Sequence, residues 1–163
     1  MGFGFLLLVL AGCGAVQEAP PVHFERSVLQ VGGTPYALLA ADVTRDGTPD
    51  LVTADQTGDR LVVFVGDGAG GFRQAVTVPA GPAPGGLASA DFDEDGQADL
   101  AVANHETDHV TLLRGTGGGA FEPGPASPLV LGVAPHVHLV DAADLDEDGH
   151  ADLVVDHREA GGL

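Results

Sequence analysis

The sequence is poor in basic and aromatic residues and holds a single cysteine. Aromatic residues make up 5% of its 163 residues, tryptophan is absent, and only six residues are lysine or arginine. The 24 acidic residues give a formal net charge of −18 at pH 7. This charge argues against a nucleic-acid partner, whose phosphates require lysine and arginine, and favours cations. One cysteine excludes an internal disulfide framework.

Glycine and proline are abundant instead. The chain has 25 glycines and 11 prolines, above ordinary usage, which argues against a long coiled coil. Apolar residues make up 44%, mostly alanine, valine and leucine, so disorder is not expected. This composition predicts many short strands joined by turns, in a chain of one-domain length.

The N-terminus has features of an export signal. Phe3 to Leu10 is almost wholly apolar, but this run is too short to span a bilayer. The tetrapeptide Leu-Ala-Gly-Cys, ending at Cys13, resembles a bacterial lipobox, in which the cysteine thiol is lipidated. The resemblance implies an anchor at Cys13, and Gly14 after it favours the outer membrane. The alternative is an ordinary cleaved signal, since no lysine or arginine precedes the apolar run.

Three acidic segments of nine residues repeat along the rest of the chain. Each has aspartate at positions 1, 5 and 9 and glycine at position 6, and they begin at Asp42, Asp91 and Asp144. The starts are 49 and 53 residues apart. A Gly-x-x-Pro precedes each segment, and a glycine-rich turn ending in phenylalanine follows two of them, at 66–72 and 115–121. Agreement at several places in the period indicates a true internal repeat.

Each period also predicts four short strands. In the first period, the strand Tyr36–Ala41 leads into the acidic loop and the strand Asp50–Ala54 follows it. Leu61–Val65 is a continuous apolar run, as expected of a strand buried on both faces, and Phe72–Pro79 is predicted to be a more exposed fourth strand. Four short strands in about 50 residues describe one propeller blade, and blades have to stack on neighbours. The sequence therefore predicts an all-β fold of β-propeller blades, about three of them, each with four antiparallel strands.

Together these motifs resemble the FG-GAP/VCBS repeat family, which is related to the integrin alpha-chain propeller. The resemblance rests on the three acidic segments, the Asp-Leu-x-x-Ala strands at Asp50 and Asp99, and the glycine-rich turn into phenylalanine. It divides the chain into a signal with lipobox over 1–13, a tether over 14–26 and a propeller segment over 27–163. Closed propellers of this kind need about seven blades. The last blade stops soon after Asp152, so we expect an incomplete propeller, a fragment or an open array, with further blades of the same chain.

The acidic loops have the composition of calcium sites. Ca²⁺ takes six to eight oxygen ligands, and alternate side chains around a tight turn converge on one point. The resemblance implies that position 7 gives its backbone carbonyl, and that up to three structural Ca²⁺ ions bind. The candidate ligands are Asp42, Thr44, Asp46, Thr48, Asp50, Asp91, Asp93, Asp95, Gln97, Asp99, Asp144, Asp146, Asp148, His150 and Asp152. The first loop is expected to bind last, because Thr44 replaces an acid at position 3.

Other interpretations of these loops are less favoured. An EF-hand needs glutamate at position 12, where this chain has Thr53, Val102 and Val155. Mg²⁺ prefers few protein ligands and retained waters. Plain Asp-Gly turns on an acidic surface remain the structural alternative.

A zinc-protease signature occurs at His105-Glu106-Thr107-Asp108-His109. The motif works on a helix, where both histidines share a face, but here it aligns with the turn between the second and third strands. We therefore expect no zinc hydrolase, and no nucleophile with a paired base is visible, so the chain is not predicted to be an enzyme. Tyr36 and His136, beside the first strands of their blades, are candidate partner contacts.

These features predict an exported calcium-binding propeller module that binds a protein or glycan at the cell surface. Its expected location is extracytoplasmic, as an outer-membrane lipoprotein or at the cell surface, with the lipid as its only membrane attachment. The alternative is an accessory or partial catalytic propeller of a polysaccharide-degrading enzyme. A cluster of lysine, arginine, tyrosine or histidine side chains converging on a groove would favour that alternative.

Overall fold

The computed structural model describes residues 25–132 and 136–157, and their regular structure is almost wholly β. One 3-10 turn, Gln56–Gly58, is the exception within these residues. The strands are β1 (Pro35–Ala41), β2 (Asp50–Asp55), β3 (Arg60–Gly66), β4 (Phe72–Pro79), β5 (Pro84–Ala90), β6 (Asp99–Asn104), β7 (His109–Gly117), β8 (Ala120–Pro123), β9 (Leu129–Val130), β10 (Val137–Ala143) and β11 (Asp152–His157). Cys13 and the predicted signal and most of the tether lie outside the described residues. No helix in the described part is long and apolar enough to cross a membrane.

The strands form three antiparallel sheets, one for each repeat. The first has the order β1-β2-β3-β4 and the second β5-β6-β7-β8, with the short β9 also paired to β7. The third contains β10 and β11. These sheets confirm the predicted all-β blades of four antiparallel strands, with two strands of the last blade described. The four strands predicted for the first repeat match β1 to β4 within one residue at each end.

The core lies between the blades, as stacking requires. The first cluster joins the facing sides of blades one and two and includes Val52, Leu61 and Leu100, all fully buried. The second joins blades two and three and includes Ala101, Val110 and Val137. Because side chains alternate along a strand, Leu100 faces one neighbour and Ala101 the other. This explains why β6 is buried along its whole length.

The outer faces of the first and last blades are open. Leu38 on β1 is 68% exposed and Leu139 on β10 is 63% exposed, and both belong to strands whose other face is packed. A surface groove of about 470 Å³ runs between residues 27–31 and the outer face of blade one. Exposed apolar sheet faces of this kind are what an incomplete propeller leaves uncovered.

The blade topology places the candidate functional residues at two opposite ends of the blades. β1, β5 and β10 each run into an acidic loop, so the three loops lie at one end, here called the loop end. The chain returns along β2, β6 and β11 to the other end, here called the turn end. The turn end holds the β2–β3 and β6–β7 turns and the residues at the start of each first strand.

Candidate functional site: the acidic loops and the opposite end

The three acidic loops share one backbone conformation. Position 4 is left-handed in each, with φ of 60° at Arg45, 58° at Glu94 and 61° at Glu147. Position 6 is the glycine of the repeat, with φ of 84°, 86° and 94° in loops one to three. Such values are costly for side chains other than glycine, asparagine and aspartate. Their recurrence in all three loops shows that the sequence repeat encodes a defined turn.

Carboxylates at positions 1 and 5 hold this turn through backbone N–H groups. Asp91 Oδ2 accepts a hydrogen bond from the N–H of Gly96 at 2.8 Å, and Asp95 Oδ1 accepts one from Gln97 at 2.7 Å. The corresponding bonds occur in the first and third loops. In the second loop these Asx-type bonds leave Asp91 Oδ1 without a hydrogen-bond partner. In the first and third loops the corresponding Oδ1 of Asp42 and Asp144 accepts a further N–H bond from position 5.

The aspartate at position 9 ties the loop to the rest of its blade. Asp99 is 3% exposed. It accepts N–H bonds from Phe92 in the loop at 2.9 Å and from Gly115 at the end of β7 at 2.7 Å. Asp50 makes the matching bonds in blade one, to Val43, Thr44 and Gly66. One buried carboxylate at the start of the second strand therefore links the acidic loop to the third strand of the blade.

Carboxylates converge in the second and third loops. Ligand oxygens of Asp91, Asp93 and Asp99 lie within 4.8 Å of one another, and the same holds for Asp144, Asp146 and Asp152. Asp91 Oδ1 is buried and has no hydrogen-bond partner. A buried carboxylate oxygen without a donor is costly, and a hard cation at the loop centre would satisfy it. The residues present fit Ca²⁺.

Burial also changes the pKa of Asp99. It raises the pKa of Asp99 above the ordinary value of an aspartic acid, against the N–H bonds from Gly115 and Phe92, and the charge of Asp93 raises the pKa further. Repulsion between clustered carboxylates is the expected state of such a loop without a cation. A bound divalent ion would reverse this effect by favouring the ionised form.

The first loop differs at one ligand position. The hydroxyl of Thr44 lies 3.5 Å from Asp42 Oδ1, where the other loops have a carboxylate at position 3. The side chains at position 5, those of Asp95 and Asp148, are not in the converging groups.

One contact joins the second and third loops. The side chain of His150, at position 7 of the third loop, hydrogen bonds to Glu94 of the second loop. A cross-loop contact of this kind depends on blade stacking, so no pattern within one loop could reveal it.

Arg114 at the loop end was missed by sequence reasoning. Its guanidinium lies 3.8 Å from Asp95 of the second loop and also bonds to Glu122 on β8. Arg114 therefore places one positive charge beside the second acidic loop.

The turn end gathers a tyrosine and three histidines. The ring centroids of His105 and His138 are 4.3 Å apart, those of His105 and His136 5.6 Å, and those of Tyr36 and His105 6.5 Å. Tyr36 and His136, singled out as candidate partner contacts, therefore lie at the same end of the molecule. The repeat places His105 on a turn at this end, but neither His105 nor His138 was predicted to contact the candidate residues. The zinc-protease signature lies on the β6–β7 turn, as the repeat predicts, and its second histidine, His109, begins β7.

A model of the FG-GAP-like repeat matches residues 42–102 and 91–155, which together span well over half of the chain. The chain belongs to the FG-GAP-like repeat family. Each match runs from one acidic loop through the next, so the loops define the family's repeat here. A search of curated proteins finds no match.

The fold is similar to that in two crystal structures of BBS1N in complex with ARL6DN, one from a crystal soaked with lead and one from a crystal soaked with mercury. Both superpose with a TM-score of 0.50, at 20% and 22% sequence identity. The matched region covers 76% of this chain in both cases, and 38% and 39% of the two solved chains. At this identity the likeness shows the fold alone. This FG-GAP-repeat chain thus spans about two fifths of the length of these solved chains.

Proposed function

We propose that this chain is a calcium-stabilised FG-GAP repeat module that is exported, anchored through lipid at Cys13, and binds a protein partner at the cell surface. The observation that carries the calcium assignment is the convergence of Asp91, Asp93 and Asp99 around a buried, unsatisfied carboxylate oxygen. The third loop repeats this convergence. In this proposal calcium has a structural role, and the chain has no catalytic activity of its own.

A calcium titration of the purified chain tests the metal assignment. We expect stoichiometric calcium binding that falls by one site in Asp93→Asn, because this variant removes one charged candidate ligand. The fold should be retained, since Asp93 is exposed and accepts only one N–H bond, from Asp95 at 3.1 Å. Asp108→Asn removes the same charge on the turn between β6 and β7 and is the matched control. An unchanged stoichiometry in Asp93→Asn, with the fold retained by circular dichroism, would show that the acidic loops are only turns.

Support for a protein partner comes from the fold. The similar solved chain BBS1N was crystallised with a protein, ARL6DN. In this chain the outer faces around Leu38 and Leu139 have the geometry of blade interfaces, and we propose that further blades of a longer chain cover them. A glycan partner remains the other ligand class for the exposed turn end around Tyr36.

The export and anchoring proposal is tested at Cys13. Expressed in a bacterium with a lipoprotein pathway, the chain should incorporate labelled fatty acid and sediment with membranes, whereas Cys13→Ser should do neither. An unlabelled wild-type chain recovered in the soluble extracytoplasmic fraction would reject the anchor while leaving the calcium proposal intact.

One observation favours a second candidate, a propeller that acts on polysaccharide. Tyr36 and three histidines come together at the turn end, which is the kind of cluster that this alternative requires. Incubation with acidic polysaccharides and measurement of new reducing or unsaturated ends tests it. Activity that is lost in Tyr36→Phe would favour this candidate over a binding module.

A further inference from the structure

We propose that the turn end carries a second kind of metal site, in which His105, His136 and His138 bind a divalent transition-metal ion such as Zn²⁺. One ligand nitrogen from each of the three histidines lies within 4.8 Å of the other two. Imidazole nitrogens suit zinc, copper, nickel and iron rather than calcium. This site is therefore chemically distinct from the acidic loops, and it does not depend on the calcium proposal.

The distances require little movement to accept an ion. A zinc–nitrogen bond is about 2.0–2.1 Å, so the three nitrogens of a tetrahedral site lie about 3.3–3.4 Å apart. The nitrogens already lie within 4.8 Å of one another, so small rotations about the side-chain torsions bring them to this spacing. The exposed side of His136 leaves the fourth position open to water or to a ligand from outside the chain.

One ring nitrogen of His138 is buried without a hydrogen-bond partner. Among the described residues, its Nε2 neither donates nor accepts a hydrogen bond. Burial of such a nitrogen without a partner costs free energy. A metal ion between His138 and His105, whose rings are in edge contact, would satisfy it.

The backbone is irregular beside the histidines at the start of β10, as it also is at the starts of β1 and β5. β10 carries a register shift between Val137 and Val140, and the Asp156 carboxylate accepts N–H bonds from His138 at 3.1 Å and Leu139 at 2.6 Å within that bulge. A β-bulge redirects side chains and is frequent beside functional sites. Here it orients His138 toward blade two.

Two glycines on β5 let the blades approach closely at this point. A Cβ on Gly86 would lie 2.8 Å from the carbonyl oxygen of His138, closer than such atoms come in proteins. Gly85 has no side chain to separate His105 from the backbone of His138. In the other two repeats the position of Gly85 holds Tyr36 and His136. The cross-blade histidine contact thus depends on glycine in blade two.

Zinc binding to the full chain tests the proposal. The chain is purified with a histidine-free tag and titrated with Zn²⁺ in millimolar Ca²⁺, which keeps the acidic loops occupied. We expect one zinc per chain. Loss of one ligand in His136→Ala should weaken binding by at least about tenfold, since even outer contacts of metal ligands contribute that much.

Matched controls separate this site from general histidine or carboxylate binding. His136 is exposed, so its alanine variant should keep the fold, and His105→Ala provides a second ligand variant. His109→Ala and His150→Ala remove histidines outside the cluster and should leave zinc affinity unchanged. Calcium stoichiometry, measured on the same samples, reports the acidic loops separately.

Three results would overturn the inference. They are the absence of stoichiometric zinc binding in the wild type, an equal loss of affinity in the control variants, and zinc binding that excess calcium abolishes. The last result would place zinc in the acidic loops.

Discussion

Thr44 is the residue that distinguishes the first acidic loop from the other two. Asp93 and Asp146 hold its position in loops two and three and belong to the converging carboxylate groups there. Calcium affinity in such loops depends on the number of charged ligands. The first loop is therefore expected to fill last as calcium is added.

Thr44→Asp should strengthen the first loop by about tenfold or more, because it restores a carboxylate at a ligand position. Calorimetric calcium titration measures the weakest step directly. Thr77→Asp, on the exposed side of β4, adds the same charge away from the loops and serves as control. An unchanged weakest step in Thr44→Asp would contradict the ligand geometry.

Asp55 and Asn104 occupy equivalent buried positions with different chemistry. Asp55 pairs with Arg60 at 2.8 Å and accepts the N–H of Thr34. Asn104 bonds instead to the carbonyl of Ala80 and the hydroxyl of Thr111. Both side chains hydrogen bond the end of the second strand to neighbouring segments. In blade one the contact is an ion pair, and in blade two it is between uncharged groups.

The Asp55 pair predicts a pH dependence of stability. Burial alone would raise the pKa of Asp55, but the hydrogen bonds from Arg60 and Thr34 and the charge of Arg60 outweigh it and hold the pKa below its ordinary value. The ionised form therefore stabilises the fold at neutral pH. That contribution is present above the ordinary aspartate pKa of about 4 and is lost as the pH falls through the lowered pKa.

Asp55→Asn tests this effect. At pH 7 the variant should be less stable by about 1–3 kcal/mol, because a charged hydrogen bond is lost. The difference from wild type in urea unfolding should shrink as the pH falls below about 4. A difference that stays constant down to the acid limit would show that the charge of Asp55 does not contribute.

Within an element, the end of β7 shows how close packing and ligand placement are coupled. A Cβ on Gly115 would lie 2.2 Å from the carbonyl oxygen of Ala98, and the equivalent Cβ on Gly66 2.3 Å from that of Pro49. The N–H of Gly115 also bonds to Asp99, a candidate calcium ligand. In blades one and two the third strand therefore abuts the residue just before position 9 of the acidic loop.

Gly115→Ala should destabilise the chain by about 1–3 kcal/mol, because the strand has to move away from the loop. The same movement should weaken calcium binding at the second loop. Gly124→Ala is the control, since its Cβ would meet the carbonyl of Leu112 at an ordinary 3.4 Å. Urea midpoints and calcium titration give the two readouts, and equal effects in both variants would contradict the argument.

At the scale of the whole molecule, the first two acidic loops are hydrogen bonded to strands whose side chains form the core between blades one and two. Each position-9 aspartate organises the start of its loop, and Asp50 and Asp99 also bind the third strand of their blades. A ligand that binds only the folded state stabilises it by mass action, by about 2.7 kcal/mol per site at 100 times its dissociation constant. Calcium should therefore stabilise the array as a whole.

Thermal unfolding in excess EDTA and then in millimolar Ca²⁺ tests this coupling. Followed by far-UV circular dichroism, the midpoint should rise by about 5–10 °C per occupied site in a chain of this size. Mg²⁺ at the same concentration should raise it less, because it keeps its waters. A folded signal with the same midpoint in all three buffers would contradict a structural role for calcium.

The sequence by itself determined the blades and the acidic loops, because both depend on contacts within one repeat. Strand alternation, the loop glycine and the spacing of aspartates are local, and they recur at Asp42, Asp91 and Asp144. For that reason the strands of the first repeat were predicted within one residue at each end. The family assignment rests on these same local features.

Only the tertiary structure decided what lies between repeats. His105 and His138 are far apart in sequence and meet because β10 packs closely on the glycines of β5. The contact of His150 with Glu94 depends in the same way on two loops from different blades. Contacts of this kind follow from the angle and distance between stacked sheets, and no repeat taken alone contains that information.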